Sequence, residues 1–130
     1  MKKLILLAIL FAILSCSSSD NNSTSSNISF NPPSWIQGTW IGIIGIGYKF
    51  TTNNVCQIVS TNQNCFNEML QMYSGSGGSV SVVESINTNT EYKFSYTVQS
   101  LTTEFYFKKG ATNNVIYIFS NGSNTPLTKQ

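Results

Sequence analysis

Histidine and arginine are both absent from this 130-residue sequence, and charged residues make up only 9% of it. Without histidine the chain has no Ser-His or Cys-His pair for nucleophilic catalysis and no imidazole ligand for a metal. The glutamates of the later chain, Glu84, Glu91 and Glu104 among them, occur singly, so the sequence shows no carboxylate pair of the glycosidase kind. We therefore predict that this protein is not an enzyme and needs neither a metal nor a cofactor.

A basic surface is also missing. The formal net charge of +2 includes Lys2 and Lys3, and the rest of the chain is close to neutral. Binding to nucleic acid needs a stripe of basic residues that neutralises phosphates, and none exists here. We interpret the pair Lys108-Lys109 as the solvated end of a strand. We therefore predict no nucleic-acid partner.

The chain has no hydrophobic run long enough to span a bilayer. Its longest apolar stretch, Leu4 to Leu14, has eleven residues, whereas a transmembrane helix needs roughly 20. The stretch follows Met1-Lys2-Lys3 and is followed by the small residue Ser15. A charged start, a short apolar run and a small residue at the cleavage site indicate a secretory signal peptide over residues 1–15.

The residues Ile13-Leu14-Ser15-Cys16 resemble the lipobox of bacterial lipoproteins. This resemblance implies cleavage between Ser15 and Cys16 and attachment of lipid to the Cys16 thiol, so that the membrane becomes a partner through this lipid. It also implies a location in the cell envelope, on the outer membrane, at either its periplasmic or its cell-surface face. Residues 16–29 carry almost no apolar side chain, so we interpret them as the lipidated cysteine and a flexible polar tether.

The remaining residues, 30–130, show strand patterns separated by turn residues. The clearest is Tyr92 to Val98, in which large and polar side chains alternate with a period of two. Asn121-Gly122 is typical of a tight hairpin turn, and a bend or bulge is expected near Gly45 in the strand from Trp40 to Phe50. We predict an all-β fold of about eight short strands with one short helix, forming an antiparallel up-and-down barrel or half-barrel.

The tripeptide Gly38-Thr39-Trp40 resembles the Gly-x-Trp signature that opens the first strand of lipocalins. The resemblance implies a lipocalin-like barrel over residues 30–130, with Trp40 packed across its closed end. A generic antiparallel domain whose first strand begins near Trp40 is the alternative.

Two functions fit such a domain. A lipocalin-like cup would make the protein a non-catalytic binding module for a small apolar ligand. Alternatively, aromatic side chains fill the interior, and the protein is a structural or protein-interaction lipoprotein without a ligand. Eight residues are candidates for this filling: Tyr48, Phe50, Phe94, Tyr96, Phe105, Phe107, Tyr117 and Phe119.

The segment from Asn64 to Tyr73 interrupts the strand pattern with helical spacing, which places Phe66, Met69, Leu70 and Tyr73 on one face. We expect Asn64 to cap this helix, and Gly75 to Gly78 to end it. The helix serves either as a lid over a binding mouth or as a hydrophobic plug.

Cys56 and Cys65 are the two cysteines that remain if Cys16 carries lipid. Export would bring them into a compartment in which disulfides persist. Two thiolates without histidine make a poor zinc site, and their spacing is not the Cys-x-x-Cys of redox enzymes. We therefore predict a structural disulfide, with the loop from Gln57 to Asn64 doubling back.

Overall fold

A computed structural model describes residues 28–130. The predicted cleavage site at Ser15 and Cys16 and residues 16–27 of the predicted tether lie outside the described residues. The described part contains nine strands and one helix: β1 (Gly38–Ile41), β2 (Ile46–Phe50), β3 (Val55–Val59), β4 (Asn62–Cys65), α1 (Phe66–Gly75), β5 (Val80–Asn87), β6 (Glu91–Val98), β7 (Leu101–Lys109), β8 (Val115–Ser120) and β9 (Ser123–Lys129).

All nine strands form a single antiparallel sheet in the order β4-β3-β2-β1-β9-β8-β7-β6-β5. Consecutive strands pair within β1–β4 and within β5–β9, and β1 also pairs with β9. The edge strands β4 and β5 do not pair with each other, and α1 contacts both. The predicted all-β antiparallel fold is confirmed, as a curled half-barrel with one short helix.

Aromatic contacts inside the curl show how strongly the sheet bends. β2 and β7 are separated by three strands, yet the rings of Phe50 and Phe107 lie 5.0 Å apart and those of Tyr48 and Phe105 lie 5.9 Å apart. Phe94 stacks on its cross-strand neighbour Phe105 at 5.1 Å. Each such pair adds about 0.5–1.5 kcal/mol to the free energy gained by burial. This aromatic cluster fills the middle of the half-barrel.

Two strands differ from the sequence prediction. The stretch from Trp40 to Phe50 is not one bent strand but a hairpin, because the chain reverses in a tight turn whose Gly45 has φ +73°. The predicted loop between Gln57 and Asn64 is also a hairpin, in which β4 pairs with β3. With these two hairpins, the described residues contain nine strands, close to the predicted number of about eight.

Two of the eight aromatic residues predicted to fill the interior do not lie in it. Phe119 packs against Tyr106 on the outer face, with ring centroids 5.4 Å apart, and lies beside Lys108. Ile116, next to Tyr117 on β8, is fully buried, so the alternation of the strand turns Tyr117 to the outer face. The assignment of Tyr117 and Phe119 to the core was wrong, because large hydrophobic side chains occupy both faces of β8, and the inner face holds Ile116 and Ile118.

The half-barrel has a closed end, formed by the segment before β1. Phe30 and Ile36 are fully buried there, and Trp40 is only 1% exposed. The Trp40 indole donates to the carbonyl of Ile36 at 2.5 Å, and the ammonium of its cross-strand neighbour Lys129 lies 5.1 Å from the indole ring. The Trp35 indole donates to the carbonyl of Thr88 at 2.7 Å. Segment 28–37 therefore crosses this end and seals it.

Candidate functional site

The opposite end of the half-barrel, called here the open end, contains a cup of about 680 Å³. Four turns or loops surround this end, at residues 42–45, 60–61, 99–100 and 121–122. The cup is large enough for a small ligand, because ligand sites begin at roughly 300 Å³. Its lining comes from the β1–β2 turn and from strands β2, β7, β8 and β9, and includes Ile44, Ile46, Tyr48, Phe105, Ile118 and Leu127.

Tyr48 forms the floor of the cup together with Phe105. Tyr48 is 6% exposed, and its ring also packs edge-on against Phe107, which belongs to the buried aromatic cluster. Burial raises the pKa of the Tyr48 hydroxyl, and the amide of its cross-strand neighbour Gln57 partly opposes that rise. Tyr48 and Phe105 therefore give the cup a largely apolar floor, which suits a site for a mostly apolar molecule.

Two further recesses adjoin the cup around α1. One, of about 650 Å³, lies between α1 and the β3–β4 hairpin, and the other, of about 290 Å³, lies between α1 and the β6–β7 turn. Met69 and Tyr96 line both recesses, and Thr103 lines the smaller recess as well as the cup. Methionine side chains adapt their shape easily, so this wall of the open end can adjust to a ligand.

The first turn of α1 is fixed from outside the helix. The structure does not use Asn64 as the cap, because the residue before the helix is Cys65, which makes no side-chain capping bond. Instead the Asn54 oxygen accepts the backbone N–H groups of Val55 at 2.9 Å and of Asn67 at 3.1 Å. The Asn54 amide donates to the Glu68 carboxylate at 2.8 Å. The predicted Asn64 cap was therefore wrong.

The helix acts as a plug along its inner face. Phe66 is 3% exposed and Leu70 is fully buried, and the Phe66 ring lies 5.2 Å from Tyr96 and 5.3 Å from Phe105. Met72, on the outer side of the helix, is 67% exposed. These contacts favour the plug over the lid, because opening the helix would expose both buried side chains.

The predicted disulfide joins Cys56 and Cys65, with a sulfur–sulfur distance of 2.02 Å. The two cysteines are direct cross-strand neighbours in the β3–β4 hairpin, and Cys65 immediately precedes α1. The bridge therefore ties the edge of the sheet to the base of the helix.

The glutamates singled out in the sequence have separate roles. Glu84 accepts the Tyr92 hydroxyl at 2.5 Å and the backbone N–H of Asn31 at 2.6 Å, and so links β5 and β6 to the closed end. Glu91 and Glu104 form ion pairs with Lys108 at 3.2 Å and with Lys93 at 2.9 Å. The geometry does not aim them at a common point.

The predicted signature residues Gly38 and Trp40 lie at the closed end, away from the cup. Within residues 28–130, no three acidic, cysteine or histidine side chains come together as ligands for a metal. In the same part of the chain no helix is both long and apolar enough to cross a bilayer.

The cup residues Ile44, Thr125 and Leu127 were not identified as a site from the sequence, because their proximity depends on the pairing of β1 with β9. A usable signal was the uncharged, isoleucine-rich stretch from Ile41 to Ile46.

Comparison with known proteins found no matching family model, no matching curated protein and no matching solved structure.

Proposed function

We propose that this protein is a lipid-anchored lipoprotein of the cell envelope, attached to the outer membrane through Cys16, whose lipocalin-like domain binds a small apolar ligand without catalysis. The resemblance of residues 13–16 to a lipobox supports the anchor. The observation that carries the binding function is the largely apolar cup of about 680 Å³ at the open end, with Tyr48 and Phe105 at its floor.

Thr125 and Asn124, neighbours on β9, allow a matched test of ligand binding. Thr125 lines the cup, whereas Asn124 is exposed and lies outside its lining. Successive side chains of a strand point to opposite faces. The variant Thr125→Trp therefore fills part of the cup, and the control Asn124→Trp adds the same side chain to the outer face.

Titration with a fluorescent fatty-acid analogue provides the measurement. We expect Thr125→Trp to weaken binding by about tenfold or more, since it removes space that ligand atoms occupy. Asn124→Trp should bind like the wild-type protein. Equal binding by both variants, or no binding by the wild-type protein, would contradict the proposal.

The aromatic cluster below the cup supports the second candidate, a structural or protein-interaction lipoprotein without a ligand. Trp40, Phe94 and Phe107 are buried and belong to the packed core of the half-barrel. Mass spectrometry of material extracted from the purified lipoprotein separates the two candidates. A stoichiometric small molecule supports the cup, and its consistent absence, together with no binding of the probe, supports the second candidate.

A further inference from the structure

The exposed apolar side chains of the described domain are concentrated at the open end. Seven of its eight exposed large hydrophobic residues lie there, and the exception is Val83 in the middle of β5. The most exposed are Ile43 at 96% and Ile44 at 81%, on the β1–β2 turn. We call these seven residues the apolar rim: Ile43, Ile44, Ile46, Val59, Met72, Tyr73 and Leu101.

Charge has the opposite distribution. The turns of the open end and the strand residues next to them carry no charged side chain. The nearest charges along the flanking strands are Glu104, three positions after Leu101, and Lys49, three positions after Ile46. Glu104 is paired with Lys93 at 2.9 Å. Lysines lie at or near the closed end, Lys49, Lys109 and Lys129 among them. Entry of the rim into an apolar environment would therefore remove no unpaired charge from water.

The rim residues project from several separate elements around a concave mouth. Ile43 and Ile44 come from one turn, Val59 from the end of β3, Leu101 from the start of β7, and Met72 from α1. A protein interface usually has a packed central anchor with paired charges around it. Mostly aliphatic tips on turns without charge instead suit the interface of a lipid bilayer, into which apolar side chains enter about 5–10 Å.

The position of Cys16 makes this contact possible. Eleven residues separate Cys16 from Ile28, and twelve residue steps span at most about 40 Å. The longest described strand has nine residues, which corresponds to roughly 30 Å along the half-barrel. An anchor at Cys16 would hold the domain at the membrane and would let either end reach it.

We propose that the open end docks on the membrane, with the apolar rim in the interface between headgroups and acyl chains and with the mouth of the cup facing the lipid. The proposal rests on the lipid anchor of the proposed function. It identifies the bilayer as the source from which the cup takes its ligand. Because the rim carries no lysine, docking does not require anionic lipid.

The test uses the full lipidated protein, reconstituted into vesicles of phosphatidylcholine whose acyl chains carry bromine, a quencher of tryptophan emission. The variant Ile44→Trp places a probe on the rim. The control Asn113→Trp places the same probe on the exposed β7–β8 turn at the closed end. The native Trp35 and Trp40 lie at the closed end in every sample, and their emission is subtracted with the wild-type protein.

We expect brominated lipid to reduce the added emission of Ile44→Trp about twofold or more and to leave that of Asn113→Trp unchanged, since only the rim lies at the depth of the acyl chains. Replacing part of the phosphatidylcholine by phosphatidylglycerol should not change this pattern. A requirement for the anionic lipid would contradict the proposal.

Flotation of the same vesicles reports on the anchor independently. Protein that floats, but whose Ile44→Trp emission is not quenched, would have its rim turned toward solvent or a protein partner. That result overturns the docking proposal but does not contradict the lipid anchor. Quenching of both probes would also overturn it. Protein that does not float overturns the anchor and the docking proposal together.

Discussion

The side-chain oxygen of Asn54, in the β2–β3 turn, accepts the backbone N–H of Asn67, thirteen positions further along the chain. A single amide thus caps a helix to which it is not adjacent in sequence. Together with the Cys56–Cys65 bridge, it holds α1 against the sheet at the end where the helix begins. The plug in the half-barrel depends on these two attachments and on the burial of Phe66 and Leu70.

Replacement of Asn54 by alanine should destabilise the domain by about 2–3 kcal/mol, because two backbone N–H groups lose their acceptor and Glu68 loses a donor. Urea unfolding followed by tryptophan fluorescence measures this change. The matched control is Asn53→Ala, whose side chain is exposed and which should change stability by less than about 0.5 kcal/mol. Equal midpoints for the two variants would contradict the assigned cap.

Loss of the disulfide should lower stability by about 2–3 kcal/mol, because an open chain of this length gains conformational freedom when unfolded. For a domain of this size, the melting temperature should fall by roughly 10–20 °C. Differential scanning calorimetry of the wild-type protein with and without a thiol reductant measures this shift. The double variant Cys56→Ala/Cys65→Ala should melt at the temperature of the reduced protein, and reductant should not affect it. A wild-type melting temperature that does not change when reductant is added would contradict the prediction.

Gly47 should not tolerate alanine, since an added Cβ would overlap the carbonyl oxygen of Trp40 on the neighbouring strand. This overlap would push β1 away from β2, and Gly47→Ala should therefore destabilise the domain by on the order of 3 kcal/mol. Gly75 is the matched control, because a Cβ there meets nothing within 4 Å and the residue belongs to α1. Gly75→Ala should leave stability unchanged or raise it by about 0.5–1 kcal/mol. Chemical unfolding of both variants provides the comparison.

Alkaline pH should destabilise the domain through its buried tyrosines. Burial, and then the hydrogen bond to Glu84, raise the pKa of Tyr92 above its ordinary value, and burial also raises the pKa of Tyr48. The folded state therefore keeps these protons when the unfolded chain loses them. Stability should be insensitive to these groups below about pH 10, the pKa of an unfolded tyrosine, and should fall above it.

The slope of that fall identifies the residues responsible. Each tyrosine that stays protonated only in the folded state contributes about 1.4 kcal/mol per pH unit. Unfolding midpoints measured between pH 8 and 11 should therefore decrease less steeply for Tyr92→Phe than for the wild-type protein. Tyr117→Phe, on the outer face, serves as the control and should keep the wild-type slope. Identical slopes for all three proteins would contradict the role of Tyr92.

Local patterns predicted those parts of the fold that depend on neighbours in sequence. The alternation from Tyr92 to Val98 forms β6, and Asn121-Gly122 forms a tight turn in which both residues have positive φ. The pairing of Cys56 with Cys65 was predicted from the expectation that Cys16 carries lipid and that export brings the two remaining cysteines into an oxidising compartment. In contrast, β4 was missed because the polar residues Asn62 to Asn64 show no alternation of large and polar side chains.

Features that depend on distant residues were not predictable in this way. The Asn54 cap requires a turn and a helix to meet after both have formed. The cup requires Ile46 on β2 and Ile118 on β8 to line one cavity, although more than seventy positions separate them. Phe107 is buried on the inner face of the sheet, whereas Phe119 is half-buried on the outer face, and an aromatic side chain fits either face.

Because β1 pairs with β9, the order in which the chain is synthesised directly affects its folding. The strand that contains Trp40 finds its second neighbour at Lys129, about ninety positions later. A chain that leaves the ribosome or a translocase N-terminus first can form the β1–β4 meander early. Until β9 arrives, however, both β1 and β8 expose unpaired edges that invite association with other chains. A newly made chain therefore stays open to such association until its last strand has docked.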